Sequence, residues 1–474
     1  MHKNMQKQAT IIMLTFVFAL VVCGAVAAAD NSTVNATNAS SVSSTNAAPA
    51  PAPAPNQPTV NAPTASDQQA SSTPATTSGG DPRIVGDPTC YPTIQAAVNN
   101  AIKGDIIIVE CGAYNENVVI NTMLTLIGQK GAVVVAADPN QPVFTINSGG
   151  SGTKIIGFTI MGGSDGIELN DVSNCEIKCN KIVSNKDGIE LNNADFNCIK
   201  DNEIKYNLDD GISLYWSDGN TIKDNRITSN VDDGISLYRS EGNKIIDNEI
   251  NSNLGDGVDL YHSDWNDIIG NEINKNYYDG VVLYESDGNL VKCNDIIDNR
   301  GKGVLIAGSK GNEILKNDIE TCIPCSVCIY VKDTNPVLRT ELTDEVFGRV
   351  SELNEVHGNS LIATGENSYA IINNSCEKLN AECNWFGSDK NPKCKIGGSG
   401  VTLYCPWLKE EPTKCKCHKE KKSEKTTTKK SVKTAKAVKV TAAAGVPMQT
   451  TGAPLALLAL ALLAVFGGLL PRRK

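Results

Sequence analysis

Histidine and methionine are scarce in this chain, with 4 and 6 of them among 474 residues. Outside a predicted leader peptide, the histidines are His262, His357 and His418. Imidazole is the usual catalytic base near neutral pH, and imidazole and thioether groups are the usual soft-metal ligands. Both kinds of chemistry therefore have few candidate residues.

Positive charge is also in short supply over most of the chain. The formal net charge is -10, from 43 Lys and Arg against 53 Asp and Glu, and many of the basic residues lie between residues 409 and 446. The rest of the chain is therefore strongly acidic. This excludes nucleic acid as a partner and fits solubility, cations or basic wall components.

The N-terminal part is predicted to lie outside the folded domain. Residues 1–29 contain basic residues, an apolar run and three consecutive alanines, and they predict a signal peptide. Residues 30–84 are rich in Ala, Pro, Ser and Thr, with too little apolar surface to offset the entropy of ordering, so they predict a disordered stalk. Triplets that predict N-glycosylation in an exported protein begin at Asn31, Asn35, Asn38 and Asn373.

The C-terminal part predicts attachment to the cell surface. Residues 409–446 form a Lys-rich linker, either a solvated spacer or a segment lying against an anionic polymer or lipid. Residues 447–474 contain PMQTTG, an apolar run and a basic tail, an order that resembles the C-terminal sorting signals of prokaryotic surface proteins. We expect an exported protein in the cell envelope, held by a C-terminal transmembrane segment whose basic end stays inside.

A repeat of 23 residues occupies residues 165–324, and its first unit is one residue short. Positions are numbered below from the residue that begins each unit, which is position zero. The units begin at Asp165, Asp187, Asp210, Asp233, Asp256, Asp279 and Lys302. Positions 2, 4, 12 and 17 hold Ile, Leu or Val in every unit. They fall in three short alternating segments, which predict three strands per unit.

A unit of three strands cannot bury its apolar face alone, so the units must stack, at about 4.8 Å per layer. The sequence therefore predicts an all-β fold, a three-sided parallel β-helix. Residues 85–164 are expected to form a short capping helix, with Thr93 as N-cap and Gly104 as stop, and the first, less regular rungs. Residues 165–324 form the regular rungs, and residues 325–408 form Cys-rich C-terminal rungs and a cap.

Asn and Gly are predicted to turn the corners. Asn recurs at positions 10, 15 and 20, as in Asn220, Asn225 and Asn230. We expect each Asn to take the left-handed backbone of a sharp corner and to bond to the Asn of the next layer. The Gly at position one, such as Gly211, is expected to supply a positive φ.

Three segments carry a resemblance to a known family. The opening YPTIQAAVNNAIKGDIIIVECGAYNENVVI, the repeats of form DGIxLxxSxxNxIxxNxIxxN and the segment LNAECNWFGSDKNP resemble right-handed parallel β-helix repeat proteins. That superfamily includes pectin-lyase-like and sugar-hydrolysing enzymes, the copper-site accessory protein of nitrous oxide reductase, and adhesin-like surface proteins of methanogenic archaea. The layout resembles the last group. The resemblance covers residues 85–392, implies a right-handed solenoid and leaves the function open.

The residues at position zero form a column of carboxylates. Neighbours about 4.8 Å apart repel by roughly 1 kcal/mol in water. Two arrangements would offset this repulsion: each Asp accepts backbone N–H groups in its own turn and is screened, or Ca²⁺ bridges adjacent layers. The candidate Ca²⁺ ligands are Asp209, Asp210, Asp232, Asp233, Asp256 and Asp279.

An aromatic column lies at position five, and position six beside it varies from unit to unit. Aromatic side chains next to charged groups on a solenoid can hold polysaccharide or cell-wall glycan, although a stack of aromatic rings is also a stable corner. The carbohydrate-binding candidates are Tyr215, Trp216, Tyr238, Arg239, Tyr261, His262, Trp265 and Tyr284.

Catalysis would need more than the repeat supplies. A hydrolase needs two carboxylates at a set separation, and a lyase needs Ca²⁺ with a basic residue near the abstracted proton. The Asp-Asp and Gly-His-Gly arrangement of the galacturonan hydrolases of this fold does not occur in the sequence. No catalytic residue is predicted; if the chain were an enzyme, Asp259, His262, Arg239 and Glu285 would be the candidates.

The cysteines, 16 in all, predict disulfides in an exported chain. Cys90 with Cys111 is expected to tie down the capping helix. Cys175 and Cys198 lie in adjacent layers near one corner and are a second candidate pair.

The sequence is interpreted as a structural or adhesive cell-surface protein, an envelope or surface-layer component that presents a rigid face to glycans, envelope proteins or neighbouring cells. Two alternatives stay open. One is a polysaccharide lyase, hydrolase or epimerase. The other is a periplasmic copper-binding accessory factor, which the scarcity of His and Met disfavours. Ca²⁺ is the one cofactor candidate.

Overall fold

The computed structural model describes residues 82–86, 90–334 and 349–415, which form an all-β solenoid. The strands run parallel in three sheets, of 12, 14 and 11 strands in this described part. The predicted parallel β-helix is therefore confirmed, with about 13 turns. The predicted signal peptide, nearly all of the stalk, most of the Lys-rich linker and the C-terminal anchor lie outside the described residues. No helix within the described ranges is long and apolar enough to cross a membrane.

Sheet 1 contains the first strand of each regular unit. Its strands are Val118–Ile120, Phe144–Ile146, Asp165–Asn170, Asp187–Asn192, Ile212–Tyr215, Ile235–Tyr238, Val258–Tyr261, Val281–Tyr284, Lys302–Ala307, Val327–Lys332, Tyr369–Asn374 and Ile396–Gly397.

Sheet 2 contains the second strand of each unit. Its strands are Arg83–Val85, Ile106–Val109, Thr125–Gly128, Lys154–Ile156, Glu176–Lys178, Cys198–Lys200, Thr221–Lys223, Lys244–Ile246, Asp267–Ile269, Leu290–Lys292, Glu313–Leu315, Glu355–His357, Leu379–Asn380 and Thr402–Leu403.

Sheet 3 contains the third strand of each unit. Its strands are Gly112–Asn115, Ala132–Val135, Thr159–Met161, Lys181–Val183, Glu203–Lys205, Arg226–Thr228, Glu249–Asn251, Glu272–Asn274, Asp295–Ile297, Asp318–Thr321 and Ser360–Ala363. Two short 3-10 helices, Ser148–Gly150 and Pro392–Lys395, lie in the connections.

The capping helix is shorter than predicted. It spans Ile94–Asn99, and the Oγ1 atom of Thr93 accepts a hydrogen bond from the N–H of Ala96 at 3.0 Å, as expected of an N-cap. The carboxylate of Glu116 accepts two further N–H groups of the first turn at 2.8 Å each. Because the helix ends at Asn99, Ile102 is not on its buried face and is 59% exposed.

The core is a stack of identical apolar positions. Ile212 pairs with Ile235, which pairs with Val258, so each branched side chain lies above its equivalent in the neighbouring rung. Every residue at positions 2, 4, 12 and 17 of the repeat is at most 1% exposed. Burying these side chains contributes roughly 1.5 to 3 kcal/mol each, which stabilises the stack.

The three Asn columns are hydrogen-bonded ladders inside the corners, as predicted. The Oδ1 atom of Asn225 accepts the backbone N–H and the Nδ2–H of Asn202, both at 3.0 Å. Its own Nδ2 donates to the Oδ1 of Asn248 at 3.1 Å and to the carbonyl of Ile199 at 2.8 Å. The predicted backbone was wrong: the left-handed residue comes one position earlier, as at Asp224 with φ 55°. This shift aims the amide into the corner.

The glycines at position one are required for space and not for positive φ. A Cβ atom on Gly211 would lie 2.5 Å from Cγ2 of Ile227 and 2.6 Å from the carbonyl oxygen of Gly234. Both contacts are far shorter than van der Waals distance. Only glycine lets adjacent rungs approach this closely, which corrects the expectation from sequence.

Candidate functional site

Tyrosines form a continuous stack on the outer face of sheet 1. In this sheet, positions 2 and 4 point into the core and positions 3 and 5 point outwards, because side chains alternate along a strand. The ring centroids of Tyr238 and Tyr261 lie 5.7 Å apart at 11°, and those of Tyr261 and Tyr284 lie 5.0 Å apart at 5°. Tyr215 joins the stack 6.2 Å from Tyr238. These four residues are called the Tyr column.

Beside the Tyr column, position six holds Trp216, Arg239, His262 and Glu285, here called the variable column. All four have left-handed backbone, with φ of 50° to 53°. The guanidinium of Arg239 lies 4.7 Å from the ring of Trp216, a cation–π contact. Nδ1 of His262 lies 3.5 Å from Oε2 of Glu285. Partial burial lowers the pKa of His262, and Glu285 offsets part of that effect.

A cleft of about 560 Å³ opens where the chain turns from sheet 1 to sheet 2. We call it the corner cleft, and it brings the variable column together with polar residues of the same corner. Its lining residues are Asn193, Trp216, Asp218, Arg239, Glu241 and His262.

The corner carries two features that sequence analysis did not single out. Phe196 projects its ring into solvent and is 65% exposed. A second acidic column, here called the outer acidic column, occupies position eight and consists of Asp195, Asp218, Glu241, Asp264 and Asp287. Both features are visible when the units are aligned on their period, although residue identity alone does not show that these positions face outwards.

The four candidate catalytic residues do not form one site. His262, Arg239 and Glu285 lie together at the corner. Asp259 lies on the outer face of sheet 1, in register with Ser236 and Val282. Burial, with the charges of Asp232 and Asp279, raises the pKa of Asp259 to about 7. Its electrostatic partners are therefore other carboxylates and not the corner residues.

The Asp column at position zero is bonded from rung to rung. Oδ1 of Asp187 accepts the backbone N–H of Asp210 at 3.0 Å, and Oδ1 of Asp210 accepts that of Asp233 at 3.0 Å. The same bond continues at Asp233, Asp256 and Asp279. The predicted acceptor role of each Asp is thus confirmed, but the donor N–H comes from the next rung and not from the turn of the Asp itself.

The middle of the Asp column has no cationic partner among the ion pairs of the described residues. At one end, Lys186 lies 2.6 Å from Asp187, and at the other, Lys302 lies 3.5 Å from Asp279. Between them, burial and neighbouring carboxylates raise the pKa of Asp210 and of Asp256 to about 8, and that of Asp233 well above its usual range. These carboxyls are therefore suited to hold either a proton or a hard cation.

Two groups of three residues in the described part place ligand atoms within 4.8 Å of one another. They are Asp165 with Asp187 and Glu190, and Asp209 with Asp210 and Asp232. Both offer only carboxylate oxygens, which suit Ca²⁺ and not a soft metal. The second group contains three of the predicted Ca²⁺ ligands, and calcium ligation stays a prediction.

The predicted disulfides do not form. Cys111, Cys175 and Cys198 carry free thiols, and the disulfide in the described part joins Cys293 to Cys415. Cys175 is a buried corner residue at position ten, whereas Cys198 is a strand residue paired with Glu176. The two side chains therefore leave their rungs in different directions. The repeat pattern places the two residues in adjacent rungs but does not predict these directions.

One glycosylation candidate is wrong for the folded domain. Asn373 is fully buried, and its Nδ2 donates to the carbonyls of Glu377 and Val401. The amide that would carry a sugar is therefore inaccessible. The triplets at Asn31, Asn35 and Asn38 lie outside the described residues.

Stacked parallel rungs with buried Asn ladders define a parallel β-helix. A family model described as periplasmic copper-binding protein (NosD) matches residues 98–279, 151–327 and 255–385, together more than half of the chain. The chain therefore belongs to the NosD family.

The chain is also similar to a cell surface glycoprotein of Methanothermus fervidus, with 35% identity over 94 residues. That match covers 19% of this chain and 16% of the glycoprotein. With the periplasmic family match, this similarity supports an exported protein.

Among solved structures, the chain resembles the A-module of mannuronan C-5 epimerase AlgE6 from Azotobacter vinelandii. The TM-score is 0.52 at 17% identity, covering 68% of this chain and 95% of the module. The Dettilon tailspike protein gives a TM-score of 0.53 at 16% identity, covering 65% of this chain and 64% of the tailspike. At these identities the likeness shows the fold alone.

The family description names copper, but the described residues do not fit a copper site. Copper favours His, Cys and Met ligands. His262 contacts Glu285, and His357 lies in a different rung beside Glu355. Neither convergent ligand group in the described part contains a His or Cys residue. No step through copper follows from these residues.

Proposed function

We propose that this chain is a cell-surface protein of the envelope whose solenoid is a rigid scaffold that binds polysaccharide. The ligand would bind along the edge formed by the Tyr column and the variable column. The observation that carries this proposal is a contrast within the repeat. The buried positions 2, 4, 12 and 17 hold only Ile, Leu or Val, whereas this exposed edge combines stacked aromatic rings with side chains that change from rung to rung.

The chemistry of this edge suits sugars. Aromatic rings pack against the C–H faces of pyranose rings, and neighbouring guanidinium, imidazole and carboxylate groups exchange hydrogen bonds with hydroxyls. Trp216 is 54% exposed and Tyr215 is 39% exposed, so their rings can be reached from solvent. A purely structural stack would gain more stability from burying these rings.

A surface location and a structural or adhesive role follow from the proposed layout. The predicted anchor at residues 447–474 and the Lys-rich linker at residues 409–446 would hold the solenoid away from the membrane, where it meets wall glycans and envelope proteins. Similarity to a cell surface glycoprotein over 94 residues supports the surface location.

A screen of the purified full chain against an array of polysaccharides tests the proposal. A Tyr238→Ala/Tyr261→Ala variant should lose retention of the bound glycan by roughly tenfold or more. Tyr277→Ala is the control, since Tyr277 is 39% exposed at another corner. The proposal is wrong if no glycan is retained, or if the control loses as much as the double variant.

A second candidate function is polysaccharide modification. It is favoured by Asp259, whose pKa of about 7 leaves a carboxyl partly protonated near neutral pH, as a general acid requires. The chain is incubated with uronate polysaccharides including mannuronan, and unsaturated products, reducing ends and C-5 configuration are followed. Activity that Asp259→Asn abolishes would support an enzyme, and the absence of all three signals would exclude it for these substrates.

A further inference from the structure

Position nine of the repeat holds two aromatic residues where the backbone favours glycine. Four units place glycine there with φ of 63° to 65°, namely Gly219, Gly242, Gly288 and Gly311. Phe196 and Trp265 occupy the same position with φ of 54° and 57°. A left-handed backbone costs glycine nothing, but it costs a residue with a side chain about 1 to 2 kcal/mol.

Burial does not offset this cost. Phe196 is 65% exposed and Trp265 is 67% exposed. A ring that is mostly in water gives the fold little hydrophobic stabilisation, because that stabilisation scales with the apolar area removed from water. The stability of the solenoid therefore does not account for these two residues.

Both rings lie directly against the glycine of the next rung. A Cβ atom on Gly219 would lie 2.6 Å from Cε1 of Phe196, and one on Gly288 would lie 2.5 Å from Cε3 of Trp265. At Gly242, which no ring covers, no atom lies within 4 Å of the same point. Each ring thus rests on bare backbone, and most of its remaining surface faces solvent.

The two rings bracket the corner cleft. Phe196 belongs to the same rung as Asn193 at one end of the cleft, and Trp265 belongs to the same rung as His262 at the other. Three rung spacings separate them, roughly 14 Å. Trp216, which lines the cleft, lies on a rung between the two.

We infer that the corner cleft binds an uncharged polysaccharide that runs parallel to the solenoid axis, with Phe196 and Trp265 as stacking platforms at its two ends. This inference rests on the proposed function and adds the site, the direction and the chemical class of the ligand.

The outer acidic column favours an uncharged polysaccharide over a polyuronate. One oxygen of Asp195 accepts the N–H of Asp218 at 2.8 Å, and one oxygen of Asp218 accepts the N–H of Glu241 at 2.7 Å. In the described part, the other oxygen of each has no protein partner and can accept a sugar hydroxyl. A polyuronate would place its own carboxylates beside this column, and like charges repel. The guanidinium of Arg239 is already stacked on Trp216.

The test uses matched hexasaccharides of glucose, mannose and galactose, each paired with the uronate that differs only at C6. Affinities are measured by calorimetry with the full chain in EDTA. The neutral member of at least one pair should bind at least tenfold more tightly than its uronate. Tighter binding of a uronate, or binding of no hexasaccharide, would overturn the inference.

The variants Phe196→Gly and Trp265→Gly install the residue that other units use, so the fold should be kept. Each should weaken neutral-glycan binding roughly tenfold without lowering the melting temperature. Leu353→Gly is the control, because Leu353 has the same left-handed backbone and is 77% exposed outside the cleft. Unchanged affinity in both aromatic variants would contradict the inference.

Different results would contradict the proposed polysaccharide binding and the proposed binding in the corner cleft. If the array retains no polysaccharide, the proposed function fails. If a polysaccharide is retained and the Tyr238→Ala/Tyr261→Ala variant loses it while Phe196→Gly and Trp265→Gly keep it, the proposed function stands and the cleft inference alone is wrong.

Discussion

The inward and outward sides of one corner follow opposite rules. Asn266 is fully buried and its backbone N–H donates to Oδ1 of Asn289 in the next rung, and this backbone bond recurs in every regular rung from Asn197 to Asn312. The residue before it, Trp265, is 67% exposed and has no aromatic counterpart in the next rung, where Gly288 stands. Two neighbouring residues in the chain thus differ in role: the inner Asn stabilises the stacking of rungs, and the outer residue can vary without disturbing that stacking.

This contrast teaches where a repeat protein can carry a function. A buried amide that bonds to equivalents above and below cannot change without leaving several polar groups unpaired. An outer residue such as Trp265 has no such hydrogen-bonded equivalents, so a different side chain there alters the surface at little cost to the stack. Four predictions sharpen or break this contrast, from the largest expected effect to the smallest.

Removing one inner amide should have the largest effect. Asn248→Ala would leave the backbone N–H of Asn225 and the carbonyl of Ile222 without their present partners inside the corner. We expect the free energy of unfolding to fall by roughly 4 kcal/mol, measured by urea denaturation. Asn193→Ala, at an exposed outer position, should cost less than about 1 kcal/mol. Equal effects would break the contrast.

Two glycine substitutions separate crowding from backbone strain. A Cβ on Gly234 would lie 2.4 Å from Cγ2 of Ile250 and 2.6 Å from the carbonyl of Gly257, so Gly234→Ala should cost about 3 kcal/mol. Gly242 has open space but a φ of 63°, so Gly242→Ala should cost only about 1 kcal/mol. Thermal denaturation of both variants measures the difference, and the reverse order would contradict this account.

The Asp column predicts a pH dependence of the free energy of unfolding. The pKa of Asp210 and of Asp256 is about 8 in the folded protein, against about 3.9 in the unfolded chain. The folded state therefore binds more protons between these values, and stability should fall as pH rises from about 4 to about 8. Urea denaturation in EDTA should show this loss as a continuous fall in the free energy of unfolding between pH 5 and pH 8.

Asp210→Asn keeps an acceptor for Asp233 and removes the charge, so it should flatten this dependence. Asp218→Asn, exposed in the outer acidic column, should leave the slope as it is. Millimolar Ca²⁺ at pH 8 should raise the melting temperature if the cation replaces the missing proton. No shift would exclude the predicted calcium ligation.

The smallest effect is expected where the outer side is restored to glycine. Trp265→Gly should leave the free energy of unfolding unchanged or raise it by up to about 1 kcal/mol, since it removes backbone strain at an exposed position. The reverse substitution, Gly242→Trp, should lower it by about 1 to 2 kcal/mol. A large loss of stability in Trp265→Gly would show that the indole stabilises the fold.

The sequence predicted the parts of the fold that depend on periodicity. Register follows from the period, so the apolar columns and the bonded Asn ladders could be placed without coordinates. The direction of a side chain and the sign of the backbone φ angle do not follow from the period. The repeat pattern therefore predicts a left-handed backbone at Asn225, whereas the structure has it at Asp224. It also predicts a positive φ at Gly211, whereas the structure requires glycine there for close packing of adjacent rungs.

The candidate site was predicted less well for the same reason. The Tyr column and the variable column lie together as expected. Asp259, however, lies within the strand and not at the corner, so its side chain faces other carboxylates. Phe196 stands at a position that is Gly in four other units, so the repeat pattern does not mark it as a site residue. The disulfide between Cys293 and Cys415 joins the repeat to a segment outside it, and no period predicts such a contact.

The most direct test of the central claim uses the tryptophans, of which the chain has 4. The full chain is labelled with 5-fluorotryptophan, and the fluorine resonances are assigned from single Trp→Phe variants. Addition of a bound neutral hexasaccharide should shift the resonances of Trp216 and Trp265 and leave those of Trp385 and Trp407 in place. Binding accompanied by shifts only at Trp385 or Trp407, or by no shift at all, would contradict the assignment of the ligand to the outer corner.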